Sequence, residues 1–330
     1  MPTTQTSSYR SAPNSTGLDQ PVRPIDREEI TAFTDFCQSA GKSRKTVATY
    51  REAAGQLATF AAAKGMPVLT ELRREHIEDF LGHLRGKGNK PATVRNRHAG
   101  LRALYNWMIH EDIRADHPMA RVARPQIPET VQPHYREDEI LRVLAAISGR
   151  ARDVLTLRDR ALILFLLDTG VRCQELCDIR IGAVDREARQ AHVVTGKGGK
   201  GRVVAYSADV ANALNSYLRK RGGWEAAGPT APLFAMRDGS PFKTNGVRML
   251  MQRRFAAAGV EYRGTHGFRR SAGIGFLENG GDPTDLKELM GWSSWSMLYK
   301  YTKATARSRA LRAHEAHSPV ARMLRQGRKP

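Results

Sequence analysis

Between Pro24 and Val122 apolar positions recur every three to four residues, the spacing of one buried helical face. Four such stretches follow one another. "REEITAFTDFCQSA" is amphipathic and closes at Gly41, a residue type that ends helices because it tolerates left-handed backbone. "SRKTVATYREAAGQLATFAAAKG" opens on Ser43, whose hydroxyl suits an N-cap, and closes at Gly65. "LTELRREHIEDFLGHLRGKG" has Thr70 as its expected cap. "KPATVRNRHAGLRALYNWMIHEDI" sets Leu101, Leu104, Tyr105 and Met108 at core spacing. The pattern predicts a compact four-helix domain over residues 25–122.

"ARPQIPETVQPH", residues 123–134, breaks the pattern with three prolines. Proline lacks the amide hydrogen and opposes helix, so this stretch reads as an extended linker between domains. Beyond it, residues 135–318 form a second domain. "REDEILRVLAAIS", "LRDRALILFLLDTG" (ending at Gly170) and "RCQELCDIR" read as helices. The period then changes: "QAHVVTGKGGKGRVVAYS" places β-branched runs on both sides of a glycine-rich turn, a hairpin signal. Helices return from "SADVANALNSYLRKR" onward. The expected fold is mainly α, a four-helix domain followed by a mostly helical α/β domain with a small antiparallel sheet. Residues 1–24 read as a polar tail and 319–330 as a basic one.

A net charge of +20 changes the picture most, because an excess of that size attracts polyanions, nucleic acid above all. Lys42, Arg44, Lys45, Lys90, Arg95 and Arg97 cluster at helix starts of the first domain and read as a set of phosphate contacts. The longest apolar run, Ala161 to Leu167, is too short to span a bilayer, and no apolar stretch follows a basic start at the N-terminus. Three cysteines, Cys37, Cys173 and Cys177, suit a reducing cytosol, and no ligand set completes a metal site around them. Neither metal nor cofactor is expected. "GKGGKG" lacks the Lys-Ser/Thr ending and the following helix of a nucleotide-binding loop.

The chemistry-bearing residues are spread out: Arg172 in "TGVRCQEL", Lys197 in "TGKGGKGR", His266 and Arg269 in "THGFRR", Trp292 in "LMGWSS" and Tyr301 in "YKYT". Each alone is weak. In this order they closely resemble the catalytic domain of the tyrosine recombinase (phage integrase) family. The family's T-G-[LV]-R-x-x-E-L box appears with Arg172 and Glu175, its hairpin lysine falls on Lys197, and its H-x-x-R box falls on His266 and Arg269. Its L-L-G-H-S segment appears as "LMGWSS", with the nucleophile nine residues later at Tyr301. The four-helix domain and linker are similar to the family's core-binding domain, so the resemblance covers about residues 25 to 315. Two departures stand out. Trp292 replaces the commoner His, keeping an N–H donor but no acid or base, and Arg270 stands where many members have a second His.

The resemblance implies cutting and rejoining of DNA through a 3′-phosphotyrosine, without ATP. Residue chemistry fits that task. A phenol can attack phosphorus, hold the phosphoryl group and leave again, although its free pKa near 10 calls for cationic assistance. Arg172 and Arg269 offer planar forks to two phosphate oxygens, which lysine cannot copy. His266 lies three residues before Arg269, on the same helical face, with a pKa suited to proton handling. Lys197 is the expected acid for the departing 5′-oxygen, Trp292 a donor or packing group, and Glu175 an orienting group. On a helix, residues two apart point about 200° from each other, so Tyr299 and Tyr301 cannot both face one phosphate. The spacing from Trp292 selects Tyr301.

The family also implies double-stranded DNA with specific recombination sites, a tetramer on two such sites, a Holliday junction, and accessory DNA-bending proteins or sister recombinases. The expected location is a prokaryotic cytoplasm, with no membrane. After Tyr301 come Lys303, Arg307, Arg309, Arg312, Arg322, Arg325, Arg328 and Lys329 against the single acid Glu315. This segment could dock on a neighbouring subunit or lie on DNA. His314 and His317, without further ligands, read as surface. Two other readings share the scaffold: a DNA-binding regulator without catalysis, and a relaxing type IB topoisomerase.

Overall fold

The computed structural model describes residues 22–128, 133–148, 153–194, 201–223 and 228–326. The chain divides into two units, the break falling between residues 130 and 131.

The first unit holds helices α1 (Pro24–Ser39), α2 (Arg44–Ala63), α3 (Arg74–Gly86) and α4 (Pro91–His110). The Ser43 hydroxyl accepts from the Thr46 amide at 3.1 Å, and Gly41 and Gly65 take the left-handed conformation one residue past the caps of α1 and α2. Thr70 does not cap α3. It lies in a 3-10 turn, Leu69–Glu71, and α3 starts later, after Arg73. The core of this unit is built from Phe33, Leu57, Ile77, Phe80, Leu101, Leu104 and Tyr105. Gly100 lets α4 approach α2, since a Cβ there would stand 2.8 Å from that of Ala53.

The expected phosphate set splits in this unit. Lys42, Arg44, Lys45 and Lys90 are exposed and Arg95 is half-buried. Arg97 is a correction. It is buried at 8%, its Nε donates to Gln56 Oε1 at 2.8 Å, and its Nη2 pairs with Glu52. Its guanidinium is spent on joining α4 to α2, so it is not a free phosphate contact.

The second unit contains α5 (Glu137–Ser148), α6 (Val154–Thr169), α7 (Cys173–Asp178), β1 (Val184–Asp185), β2 (Gln190–Val193) and β3 (Arg202–Ala205). There follow α8 (Ala208–Lys220), α9 (Thr244–Ala257), α10 (Thr265–Glu278), α11 (Pro283–Met290), α12 (Trp295–His317) and α13 (Pro319–Gln326). The strands form an antiparallel β1–β2–β3 sheet, with Ala191 opposite Val204 and Val193 opposite Arg202. The turn joining β2 to β3, with Lys197, lies outside the described residues. Ala161 to Leu167 make α6 apolar on every side over two turns, as suits a helix enclosed by its neighbours, and Leu162, Phe165 and Leu166 centre the core with Leu214, Phe255 and Phe268. A second, smaller cluster joins Leu277, Leu286, Met290, Trp292, Leu298 and Tyr301.

The C-terminus differs from a plain basic tail. Val320, Met323 and Leu324 recur at helical spacing and Pro319 suits a first turn, so residues 319–326 wind into α13 with those three side chains exposed.

Candidate active site

Arg269 sits at the centre of the site. Helix α10 carries it inward to 2% exposure, where its Nη1 donates to the Gly170 carbonyl at 2.6 Å and its Nη2 to the Met290 carbonyl at 2.5 Å. Those carbonyls belong to the ends of α6 and α11, so one guanidinium ties three helices. Gly170 is required twice over. Its φ of 59° is left-handed, and a Cβ would meet the Met290 Cε at 2.6 Å. Burial, then the charges of Arg172 and Arg202, draw the Arg269 pKa down to about 10, and it remains a cation at neutral pH.

Arg172 is the residue before α7, half-exposed, with its Nη1 donating to Glu175 Oε1 at 2.7 Å. Glu175 is buried. It also accepts from the Arg172 backbone amide at 2.8 Å and from both Nη atoms of Arg202 at 2.9 and 2.8 Å. Burial alone would raise its pKa, but the hydrogen bonds from Arg202 and Arg172 outweigh that and hold it at about 2. The predicted orienting carboxylate is therefore an anion clasped between two arginines.

Tyr301 is buried at 7% on α12, its ring 4.6 Å from that of Trp292, whereas Tyr299 is 62% exposed. The helix does put the two phenols on opposite sides. Gly273 on α10 makes room for the Tyr301 ring, which a Cβ there would touch at 2.9 Å. Burial raises the phenol pKa, while Arg269, Arg270 and Arg172 pull it back down. Trp292 is buried at 5%, with the Arg269 guanidinium 5.6 Å from its indole.

His266, one helical turn before Arg269, is exposed. Desolvation, then the charges of Arg270, Arg269 and Arg172, lower its pKa, which keeps the ring neutral at neutral pH. The structure thus brings Arg172, Glu175, His266, Arg269, Trp292 and Tyr301 together, and Lys197 lies outside the described residues. Two members of this neighbourhood carry no role in the sequence reading. Arg202 was visible only as the last residue of the "TGKGGKGR" stretch. Arg270 donates to the Pro133 carbonyl at 3.1 Å and adds positive charge near Tyr301 and His266.

Among known proteins, the phage integrase family matches residues 134–308, more than half of the chain, and the phage integrase N-terminal SAM-like domain matches residues 30–115. This chain belongs to the phage integrase family. It is similar to tyrosine recombinase XerC of Mycobacterium tuberculosis (strain ATCC 25177 / H37Ra), 32% identical over 287 residues that cover 85% of this chain and 95% of the relative. It is also similar to tyrosine recombinase XerD of Xanthomonas axonopodis pv. citri (strain 306), 30% identical over 312 residues, 90% of this chain and 99% of the relative. Among solved structures, XerH site-specific recombinase bound to palindromic difH substrate superposes with a TM-score of 0.68. At 20% identity over 88% of this chain and 85% of that one, the likeness is one of fold. No helix among the described residues is long and apolar enough to cross a membrane.

Proposed function

We propose that this integrase-family protein is a site-specific DNA recombinase that cuts and rejoins DNA through a 3′-phosphotyrosine on Tyr301. The observation that carries the reading is a buried phenol on Trp292, within the field of Arg269 and Arg172. In this mechanism the phosphate enters between those arginines. Arg269 has spent two N–H donors on backbone carbonyls, and its remaining donors face the phosphate. The Tyr301 oxygen attacks phosphorus and its proton passes to neutral His266. Both guanidinium groups stabilise the charge gathering on the phosphorane. The bond to the 5′-oxygen breaks as Lys197 supplies its proton, and the Trp292 indole N–H donates to the phosphate. Attack by the 5′-hydroxyl of another strand then reverses these steps and releases the phenol.

Residues 25–122 serve as a core-binding domain on DNA, residues 123–134 as the linker, and residues 135–318 as the catalytic domain. Lys42, Arg44, Lys45, Lys90 and Arg95 contact phosphates. Four protomers act on two sites through a Holliday junction, with α13 and the basic residues around it engaging a neighbouring subunit and accessory proteins shaping the DNA. The protein works on integration, excision or transposition of a mobile element, in a bacterial cytoplasm.

A nicked suicide substrate tests the reading, because loss of the short cleaved strand traps the covalent complex. Wild-type protein gives a denaturant-stable protein–DNA band and Tyr301→Phe gives none. Absence of the band from wild type, or its persistence in Y301F, overturns the proposal.

A further inference from the structure

The geometry points to Arg202 as a positioning residue of the recombination reaction, one that holds Glu175, and through it Arg172, facing the DNA phosphate. The inference rests on the recombinase reading above. Arg202 starts β3 and its side chain, only 10% exposed, makes three hydrogen bonds to two other elements. Nη1 and Nη2 grip separate oxygens of Glu175 at 2.9 and 2.8 Å, the bidentate fit of a guanidinium to a carboxylate. Its Nε donates to the Leu289 carbonyl at 3.1 Å, near the end of α11 and three residues before Trp292. Gly291, left-handed at φ 61°, leaves the path for this side chain, since a Cβ there would stand 2.8 Å from Arg202 Cδ.

All three guanidinium nitrogens of Arg202 are engaged by Glu175 or Leu289, which suits holding rather than phosphate binding. Arg172 differs. It reaches Glu175 with its backbone amide and a single side-chain nitrogen, Nη1, and its side chain is 45% exposed, free to meet a phosphate. The carboxylate is therefore a bracket with Arg202 on its buried side and Arg172 on its open side. The charged groups facing it are Arg172 from the turn before α7, Arg202 from β3 and Arg269 from α10. Remove Arg202 and a buried carboxylate keeps only the weaker-held partner. It then takes up a proton more readily, and a protonated Glu175 no longer fixes Arg172.

The experiment measures the rate of covalent complex formation on the suicide substrate at saturating protein, from pH 8 to pH 6, for wild type, R202Q, E175Q and the double variant. Wild type must first give its band; if it does not, the recombinase reading fails and Arg202 is not at issue. R202Q is expected to be slower than wild type by about ten- to a hundredfold, an effect of the size that misplacing one phosphate ligand produces. That deficit is expected to widen as pH falls. In the double variant the pH-dependent widening beyond the wild-type profile disappears and the two deficits do not multiply. Duplex DNA affinity in a gel shift stays within about twofold of wild type, as befits a residue that touches no phosphate. A wild-type rate for R202Q, a deficit equal at every pH, or full multiplication with E175Q overturns the inference. If R202Q does not fold, R202K keeps the charge without the fork. Its expected deficit is smaller but measurable, and a wild-type rate for R202K likewise overturns it.

Discussion

The indole of Trp292 lies against the ring of Tyr301, centroids 4.6 Å apart and planes inclined by 36°. Both rings are buried in one small cluster with Leu277, Leu286, Met290 and Leu298. Trp292 thus fixes the phenol by contact, whatever its N–H does. Trp292→Ala opens a cavity under Tyr301 and is expected to cost about 3–5 kcal/mol of stability, as for large buried aromatics. Trp292→Phe keeps most of the contact and is expected to retain more of the covalent-complex rate than Trp292→Ala. Thermal melts and suicide-substrate kinetics on both variants check this, and equal rates for the two contradict it.

Tyr299 provides the matching control. Its side chain is 62% exposed. Tyr299→Ala should therefore shift stability by no more than about 0.5 kcal/mol and leave the covalent band at wild-type intensity.

Two glycines of the second unit should respond oppositely to alanine. Gly170 is left-handed at φ 59° and its Cβ would displace Met290, whose carbonyl holds Arg269. Gly170→Ala is expected to cost about 1–2 kcal/mol in backbone strain and to slow cleavage. Gly275 lies within α10 with no neighbour inside 4 Å of a Cβ. Gly275→Ala is expected to add about 0.5–1 kcal/mol through helix propensity. Denaturant titrations of the two variants read both signs.

Acid stability should depend on Glu139. Arg263 bonds both its oxygens at 2.7 Å, the Arg136 amide donates to it at 2.9 Å, and its pKa is held at about 2. Hydrogen bonding to Arg263 is the main cause, working against burial. A folded-state pKa below the unfolded one means stability that is present above the ordinary carboxylate range and lost as pH falls toward 2. Glu139→Gln is therefore expected to lower the melting temperature at pH 7, and the gap to wild type is expected to close between about pH 4.5 and 2. A gap that stays constant over that range contradicts the assignment.

Arg97 and the exposed basic residues should separate in a salt titration. Arg97→Ala breaks the joint with Glu52 and Gln56 and is expected to cost about 1–2 kcal/mol, with DNA affinity per folded molecule unchanged. Replacing Lys42, Arg44 and Lys45 together by alanine should leave the melting temperature in place and reduce the slope of log affinity against log salt by about 2–3.

Why the sequence foretold one residue and misread another comes down to the range of the interaction. That Tyr299 and Tyr301 face opposite ways is local helix geometry, and their exposures of 62% and 7% follow it. Ser43 as a cap is equally local. Arg97 looked like its basic neighbours because its partner Glu52 lies 45 residues away, and only the packing of α4 on α2 brings them together. Arg202 is a similar case, 27 residues from Glu175 in sequence and joined to it by the fold. Thr70 had the right side chain for a cap, but a 3-10 turn already occupied its backbone. Amphipathic spacing in α13 was masked by the arginines around it.

The two carbonyls that grip Arg269 come from main chain, at Gly170 and Met290. No side-chain replacement at either position can delete those acceptors; it can only shift them. The place of this guanidinium is thereby wired into the way α6 and α11 terminate. Side chains around it can change while its charge stays put, for as long as those helices stop where they do.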